Sequence, residues 1–234
     1  MIRIKIADIP IGLDNRYDYI EQLSRDYLTD DEPELIVSAS DFELEKENEI
    51  TGRQFSMGYV ESTVLFRNIA EQLPKYGAVV FHGAVLAKGD KAYAFTAKSG
   101  VGKTTHTRLW ISEFKDSVHY INGDKPIIRL INGVPHAFGT PWRGKEKYGV
   151  NESRPLAAIA LLERGEKNTA EIIEAKDSVL RLVKQIYIPR DPACAALAMR
   201  VADSIASSVR FVELKCNTQC EAAWVAARAM LTDK

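Results

Sequence analysis

Residues 96 to 105 read Thr-Ala-Lys-Ser-Gly-Val-Gly-Lys-Thr-Thr, and what flanks them constrains the chain more than its composition does. Ahead of them, AVVFHGAVLA (78–87) is an apolar, β-branched strand pattern. A tight Lys88-Gly89-Asp90 turn follows, and KAYAFTA (91–97) is a second strand. Behind them, KTTHTRLWISEF (103–114) has helical spacing, with Leu109 beside Phe114 and with Thr107, Trp110 and Ile111 on the buried flank. Strand, glycine turn, helix is the order in which a backbone turns its amides toward an anion. Gly100 and Gly102 admit backbone conformations closed to other residues.

The expected ligand is therefore a phosphate chain, held by Ser99, Gly100, Val101, Gly102, Lys103, Thr104 and Thr105. Lys103 brings a full positive charge to the outer phosphates, and Thr104 offers a hydroxyl to a phosphate-bound Mg2+ ion. The usual pattern opens with glycine, and here Ala97 takes that place. If the position needed a positive φ, alanine would cost about 1–2 kcal/mol.

The whole chain, 234 residues with 46% apolar and 27% charged residues, reads as a soluble globular protein with one sizeable core or a core and a small appendage. A formal net charge of -1 argues against nucleic acid as a partner. No apolar run approaches the roughly 20 residues that would cross a membrane. MIRIKIADIP alternates like a strand and lacks the apolar stretch of a signal peptide. Cys194, Cys216 and Cys220 are an odd set without close pairing, read as free thiols in a reducing, cytoplasmic setting.

Residues 1–60 form a small N-terminal α+β region: strands at MIRIKI and ELIVSA, a helical pattern in RYDYIEQLSRDYL, and a polar hairpin or exposed loop at DFELEKENEITG. From 61 to 234 the pattern is that of one core. ESTVLFRNIAEQLPKYG is an amphipathic helix stopped by Pro74 and Gly77. VHYINGDKPIIRL runs from a strand into Asn122-Gly123-Asp124, about twenty residues after the glycine loop, the span of one crossover helix. A carboxylate there can accept a proton from an attacking hydroxyl or hold Mg2+. IIRLINGVPHAFG is a hairpin turning at Asn132-Gly133. It leads to GTPWRGKEKYG, where Arg143, Lys145, Glu146 and Lys147 crowd around Trp142, either as a solvated loop or as a clamp on transferring phosphate. Beyond 155 lies scaffold: a strand at PLAAIALLERG, helices at AKDSVLRLVKQIY and DPACAALAMRVADSIASS, a strand at VRFVELKC and a last helix at QCEAAWVAARAML, with Met199 and Met230 in the core.

Four pieces in order, FHGAVL, TAKSGVGKTT, INGDKP and GTPWRGKE, resemble the HPr kinase/phosphorylase family over roughly residues 60 to 225. That family shares its nucleotide fold with phosphoenolpyruvate carboxykinase. The chain looks closest to a subgroup of HPr-kinase-like proteins with GTPW-x-GK and a late CN…EAA, as in CNTQCEAA here. The resemblance implies an α/β fold with a P-loop core of phosphoenolpyruvate carboxykinase/HPr kinase type, a mixed sheet and flanking helices. It implies ATP and Mg2+ as cofactors and transfer of the γ-phosphoryl group to a serine-type hydroxyl on a protein, peptide or small metabolite. Asp124, His82, Arg143 and Lys145 are the catalytic candidates, with Thr104 and Asp124 toward the metal. The family's acidic pair is here Gly123 and Asp124, so one carboxylate stands where two are usual. A nucleotide sensor without catalysis, or a kinase that also reverses its reaction, stays open, as does a homo-oligomer.

Overall fold

The computed structural model describes residues 1–98 and 100–232. Its architecture is mixed α/β, as expected. In chain order the strands and helices are β1 (Ile2–Ile6), β2 (Ile9–Asp14), α1 (Tyr19–Leu23), β3 (Leu35–Ser38), α2 (Asp41–Ile50), α3 (Met57–Gln72), β4 (Ala78–Val80), β5 (Ala84–Lys88), β6 (Lys91–Thr96), α4 (Lys103–Phe114), β7 (Val118–Asn122), β8 (Ile127–Ile131), β9 (Val134–Phe138), β10 (Ser153–Arg164), β11 (Thr169–Ile173), α5 (Ala175–Val183), α6 (Pro192–Ser208), β12 (Arg210–Cys216) and α7 (Glu221–Met230). Among the described residues β1, β2 and β3 make one sheet, and the other strands make a second, in the order β4-β8-β9-β10-β6-β5-β7, with β12 on β10 and β11 on β12.

The small sheet is a hairpin, β1–β2, with β3 parallel to β2. Its apolar residues Ile4, Ile6, Ile9, Ile11 and Leu13 pack with Val60, Val64, Leu65 and Ile69 of α3, and that cluster continues into Ile127 and Phe138 of β8 and β9. The segment expected as a hairpin or loop, 41–52, is instead mostly the helix α2. Ser40 caps it, accepting from the Glu43 amide, while the Glu43 carboxylate accepts from the Ser40 amide. Its charge concealed it: Leu44 and Glu47 alone are buried along the helix, and Glu47 is held by an ion pair with Arg67 of α3.

A second correction concerns 78–87, read as one strand. The chain leaves β4, which pairs with β8, and enters β5, which pairs with β6 and β7. The break at Phe81-His82-Gly83 is stitched by residues 185–187: the Tyr187 amide donates to Val80 O at 2.9 Å, Phe81 bridges Ile186, and the His82 amide donates to Gln185 O at 2.7 Å. The Asn132-Gly133 turn forms as expected, both residues at positive φ (51° and 81°).

Strand β10 organises the large sheet. Residues 153–155 pair antiparallel with β9, then the strand shifts register between Leu156 and Ala158 and runs parallel to β6 on one side and β12 on the other. Alternation sorts its two faces. Val85, Ala92, Ala94 and Ile159 pack beneath α5 and α6, through Leu182, Ala198, Val201 and Ile205. Leu86, Tyr93, Phe95, Ala160 and Leu162 pack beneath α4 and α7, through Trp110, Ala223, Ala226 and Met230. Met230 is buried as expected, but Met199 is 40% exposed, because the apolar stripe of α6 faces the sheet on its other side.

Helix α4 buries His106, Thr107 and Trp110. Trp110 donates its indole N–H to His106 Nε2 at 3.2 Å, so the imidazole proton sits on Nδ1, which has no partner among the described residues. Burial pushes the His106 pKa from its ordinary 6.5 down to about 4. Between those values the unfolded chain binds more protons than the folded one, so stability rises with pH through that window and is lost as pH falls. The expected contribution is about 3 kcal/mol in full above pH 6.5. Urea unfolding of wild type and His106→Leu from pH 4 to 7 should show wild type gaining about 3 kcal/mol more than the variant as pH rises through this window; parallel curves would contradict the assignment.

Candidate active site

The carboxyl end of β6 opens into the glycine loop. Thr96, its last residue, has its hydroxyl 2.8 Å from His82 O and 2.6 Å from Gln185 Oε1, so one buried side chain ties the loop root to the β4–β5 break. Ala97 is not among the non-glycine residues with positive φ, and its methyl packs with Phe95 and Trp110, only 9% exposed. The penalty weighed for alanine therefore does not arise. Ser99 lies outside the described residues. Gly100 (φ 79°) and Gly102 (φ 123°) do need glycine's freedom. Gly102 begins α4, and among the described residues no side chain caps that end, so the first-turn amides of Lys103, Thr104 and Thr105 have no side-chain cap there.

Asp124 is set by its neighbours rather than by its own contacts. Asn122, fully buried, accepts at Oδ1 from the amides of Asp124 and Lys125, both at 2.8 Å. Its Nδ2 donates to Thr140 O and Oγ1 at 3.2 and 3.0 Å, and Thr140 Oγ1 donates to Lys125 O. The Gly83 amide donates to Asp124 O at 3.0 Å, which places the His-Gly and Asn-Gly-Asp motifs side by side. The result is a three-way approach: Lys103 Nζ and His82 Nε2 each lie 3.8 Å from Asp124 Oδ1.

These groups share a cavity of about 430 Å3, walled by Gly100, Gly102, Thr104, Thr105, Tyr120 and the 143–148 segment. The Lys103 side chain is 16% exposed. Burial lowers its pKa, opposed by the charge of Asp124. The His82 pKa is also lowered, by burial first and then by the charge of Lys103, against the pull of Asp124, so His82 is held as a neutral imidazole near pH 7.

The segment after β9 is pinned across this cavity by backbone. The Gly123 amide donates to Tyr148 O, the Val150 amide to Ile121 O, and the Gly139 amide to Glu152 O. At the seam a Cβ on Gly139 would stand 1.9 Å from Val150 O, so only glycine fits. A Cβ on Gly123 would stand 3.1 Å from Arg143 O and 3.3 Å from Tyr148 O, so a side chain at the first position of the expected acidic pair would press on the backbone of the 143–148 segment.

The four cationic and acidic residues of this segment do not share one task. Trp142 is no centre for them: its indole stacks on Phe66 of α3 at 4.2 Å and donates to Ser62 O, anchoring the segment in the N-terminal core. Arg143 lines the cavity, but its head donates to Asp26 Oδ2 at 2.7 Å and lies over the Tyr27 ring. Lys145 and Glu146 are exposed on the rim, and Glu146 accepts from Arg108 of α4 at 3.1 Å. Tyr148 stacks on Tyr120 at 4.6 Å, and Tyr120 donates to Thr107 Oγ1. Sequence reasoning did not find Gln185, Tyr120 or Tyr148. Tyr120 was within reach, since it lies two residues before Asn122 on the same strand face; Gln185 gave no local signal.

Because Asn122 holds the Asp124 turn with buried, fully used hydrogen bonds, Asn122→Ala should destabilise the fold by about 2–4 kcal/mol, more than a surface turn residue would. Equilibrium denaturation measures this, and a loss below about 1 kcal/mol would show that the turn is held by other contacts.

No family model matches the chain, and no curated protein matches it either. Among solved structures it is similar to the HPr(Ser) kinase/phosphatase from Coxiella burnetii, at 9% identity and a TM-score of 0.37, over 65% of this chain and 96% of that one. A likeness that loose transfers no residue's role from one chain to the other.

Proposed function

We propose that the chain is a phosphotransferase: it binds ATP with Mg2+, seats the phosphates on the 97–105 loop, and passes the γ-phosphoryl group to a hydroxyl. The observation that carries this reading is the meeting of Lys103, Asp124 and His82 within 3.8 Å contacts in a cavity floored by uncapped helix amides. Amides and lysine are preorganised for the charge of a triphosphate, and partial burial of Lys103 strengthens that attraction. Asp124 is placed to take the proton of an acceptor hydroxyl, with neutral His82 beside it to relay or receive that proton. Thr104 and Asp124 would hold Mg2+, whose oxygen preference they fit; the ion would neutralise phosphate charge. Among the described residues no cluster of three or more His, Cys, Asp or Glu side chains makes a protein-only metal cage, which suits an ion that arrives on the phosphates.

The acceptor, a serine-type hydroxyl on a protein or peptide or a small metabolite, would enter past the rim of Lys145 and Glu146. The absence of a side chain at Gly123 favours one alternative, a nucleotide sensor that binds without transfer. Two variants decide between them. Lys103→Ala should leave a folded protein and remove about 2–4 kcal/mol of transition-state stabilisation. Asp124→Asn should keep nucleotide affinity and lose transfer by about 10²–10⁴-fold if Asp124 is the base. If Asp124 chiefly holds the metal, binding of MgATP weakens while metal-free ATP binding does not. The measurements are γ-phosphoryl transfer to an acceptor pool and calorimetric affinity with and without Mg2+. Binding without any transfer in wild type would select the sensor, and an active wild type with full activity in both variants would remove the site.

A further inference from the structure

Arg164, the last residue of β10, lies 63 and 64 residues beyond the two glycine-loop residues it touches. Its Nε donates to Val101 O at 3.2 Å and its Nη2 to Gly100 O at 2.5 Å. The fold explains the reach. β10 runs parallel to β6 with Leu161 opposite Thr96, so both strands end on the same side, and the alternation of Ala160 and Leu162 puts Arg164 on the sheet face that carries α4.

The orientation of two peptide groups depends on that contact. A peptide is planar and trans, so a carbonyl and the following N–H point opposite ways. With Gly100 O drawn to Arg164, the Val101 amide points the other way and donates to Lys98 O at 3.2 Å. With Val101 O drawn to Arg164, the Gly102 amide points away from Arg164, toward the cavity that Gly102 lines. Packing does not impose this: among the described residues, chain neighbours aside, no atom lies within 4 Å of the place a Cβ would take on Gly100 or Gly102. Glycines free of packing can flip their peptides, and a flipped carbonyl would present negative charge to an incoming anion. A guanidinium, with its donors in a rigid fork, can hold two carbonyls at once.

We infer that Arg164 is a positioning residue that keeps the glycine loop ready for phosphate, holding the Gly100 and Val101 carbonyls away from the cavity and the Gly102 amide toward it; this rests on the phosphate-loop reading above. The test compares wild type, Arg164→Ala, Arg164→Lys and Lys103→Ala for calorimetric affinity toward MgATP and toward magnesium tripolyphosphate, which lacks the nucleoside, with the unliganded melting temperature of each. Arg164→Ala should weaken both ligands by the same factor, about tenfold or more, from the loss of two charge-assisted hydrogen bonds, without a change in melting temperature. Arg164→Lys, which keeps the charge but not the fork, should fall between. Affinities within about twofold of wild type in Arg164→Ala, weakening of MgATP alone, a parallel drop in melting temperature, or full recovery with lysine would each overturn the inference. Should the alanine variant not fold, the lysine variant carries the same comparison: a loss for both ligands supports the inference and wild-type affinity overturns it. If Lys103→Ala weakens binding and the Arg164 variants do not, the inference falls and the phosphate-loop reading stands. If wild type binds neither ligand, both fall together.

Discussion

One strand has to join the two halves of the large sheet, and the site exists because it does. β10 gives its first residues to β9 and the rest to β6 and β12. β6 delivers the glycine loop, while β9 leads to the segment that roofs the cavity. Had β10 ended at its register shift, the loop and the roof would belong to separate layers with no fixed distance between them. A strand of 12 residues is long for a domain of this kind, and this one uses its length to set the floor against the roof.

Within that frame the electrostatics are deliberately incomplete. Lys103 and Asp124 attract across 3.8 Å but make no hydrogen bond, and His82 stands off at the same distance. A closed salt bridge would satisfy both charges and resist a ligand. An open one, with the lysine largely removed from water, leaves donor and acceptor capacity directed into the cavity. Arg143 follows the opposite rule: it is tied to Asp26 and Tyr27, and those contacts outweigh the effect of burial and hold its pKa above the usual value. The cavity thus sets Lys103 without a hydrogen-bonded carboxylate at its base against Arg143 committed at its wall, and that commitment runs through the N-terminal region.

What could be read in advance followed local rules. The Asn132-Gly133 turn and α6, capped by Asp191 with Pro192 at its first position, are each written in a few adjacent residues, and each formed as expected. Helix α2 was hidden because capping, not amphipathicity, defines it; with Leu44 as its one buried apolar residue it has almost no stripe to detect. The break between β4 and β5 was hidden for the opposite reason, since an unbroken apolar run gives no hint that its two halves pair at different places in the sheet. β11 is a short edge strand recognisable only beside β12. The contacts of Gln185 and Arg164 span 89 and 64 residues, and no local pattern encodes a pairing at that range.

The seam beneath the roof has a consequence for how such a chain can diverge. Gly139 and Val150 meet backbone to backbone, and the Gly123 and Val150 amides fasten the roof to β7 and the turn that follows it. Main-chain attachments do not depend on side-chain identity, except where glycine alone can fit. Lys145, Glu146 and Lys147, all on the surface between these fastenings, can therefore be exchanged without loosening the ends. A lineage built on this plan can retune which molecules pass its doorway while the hinge posts stay where they are.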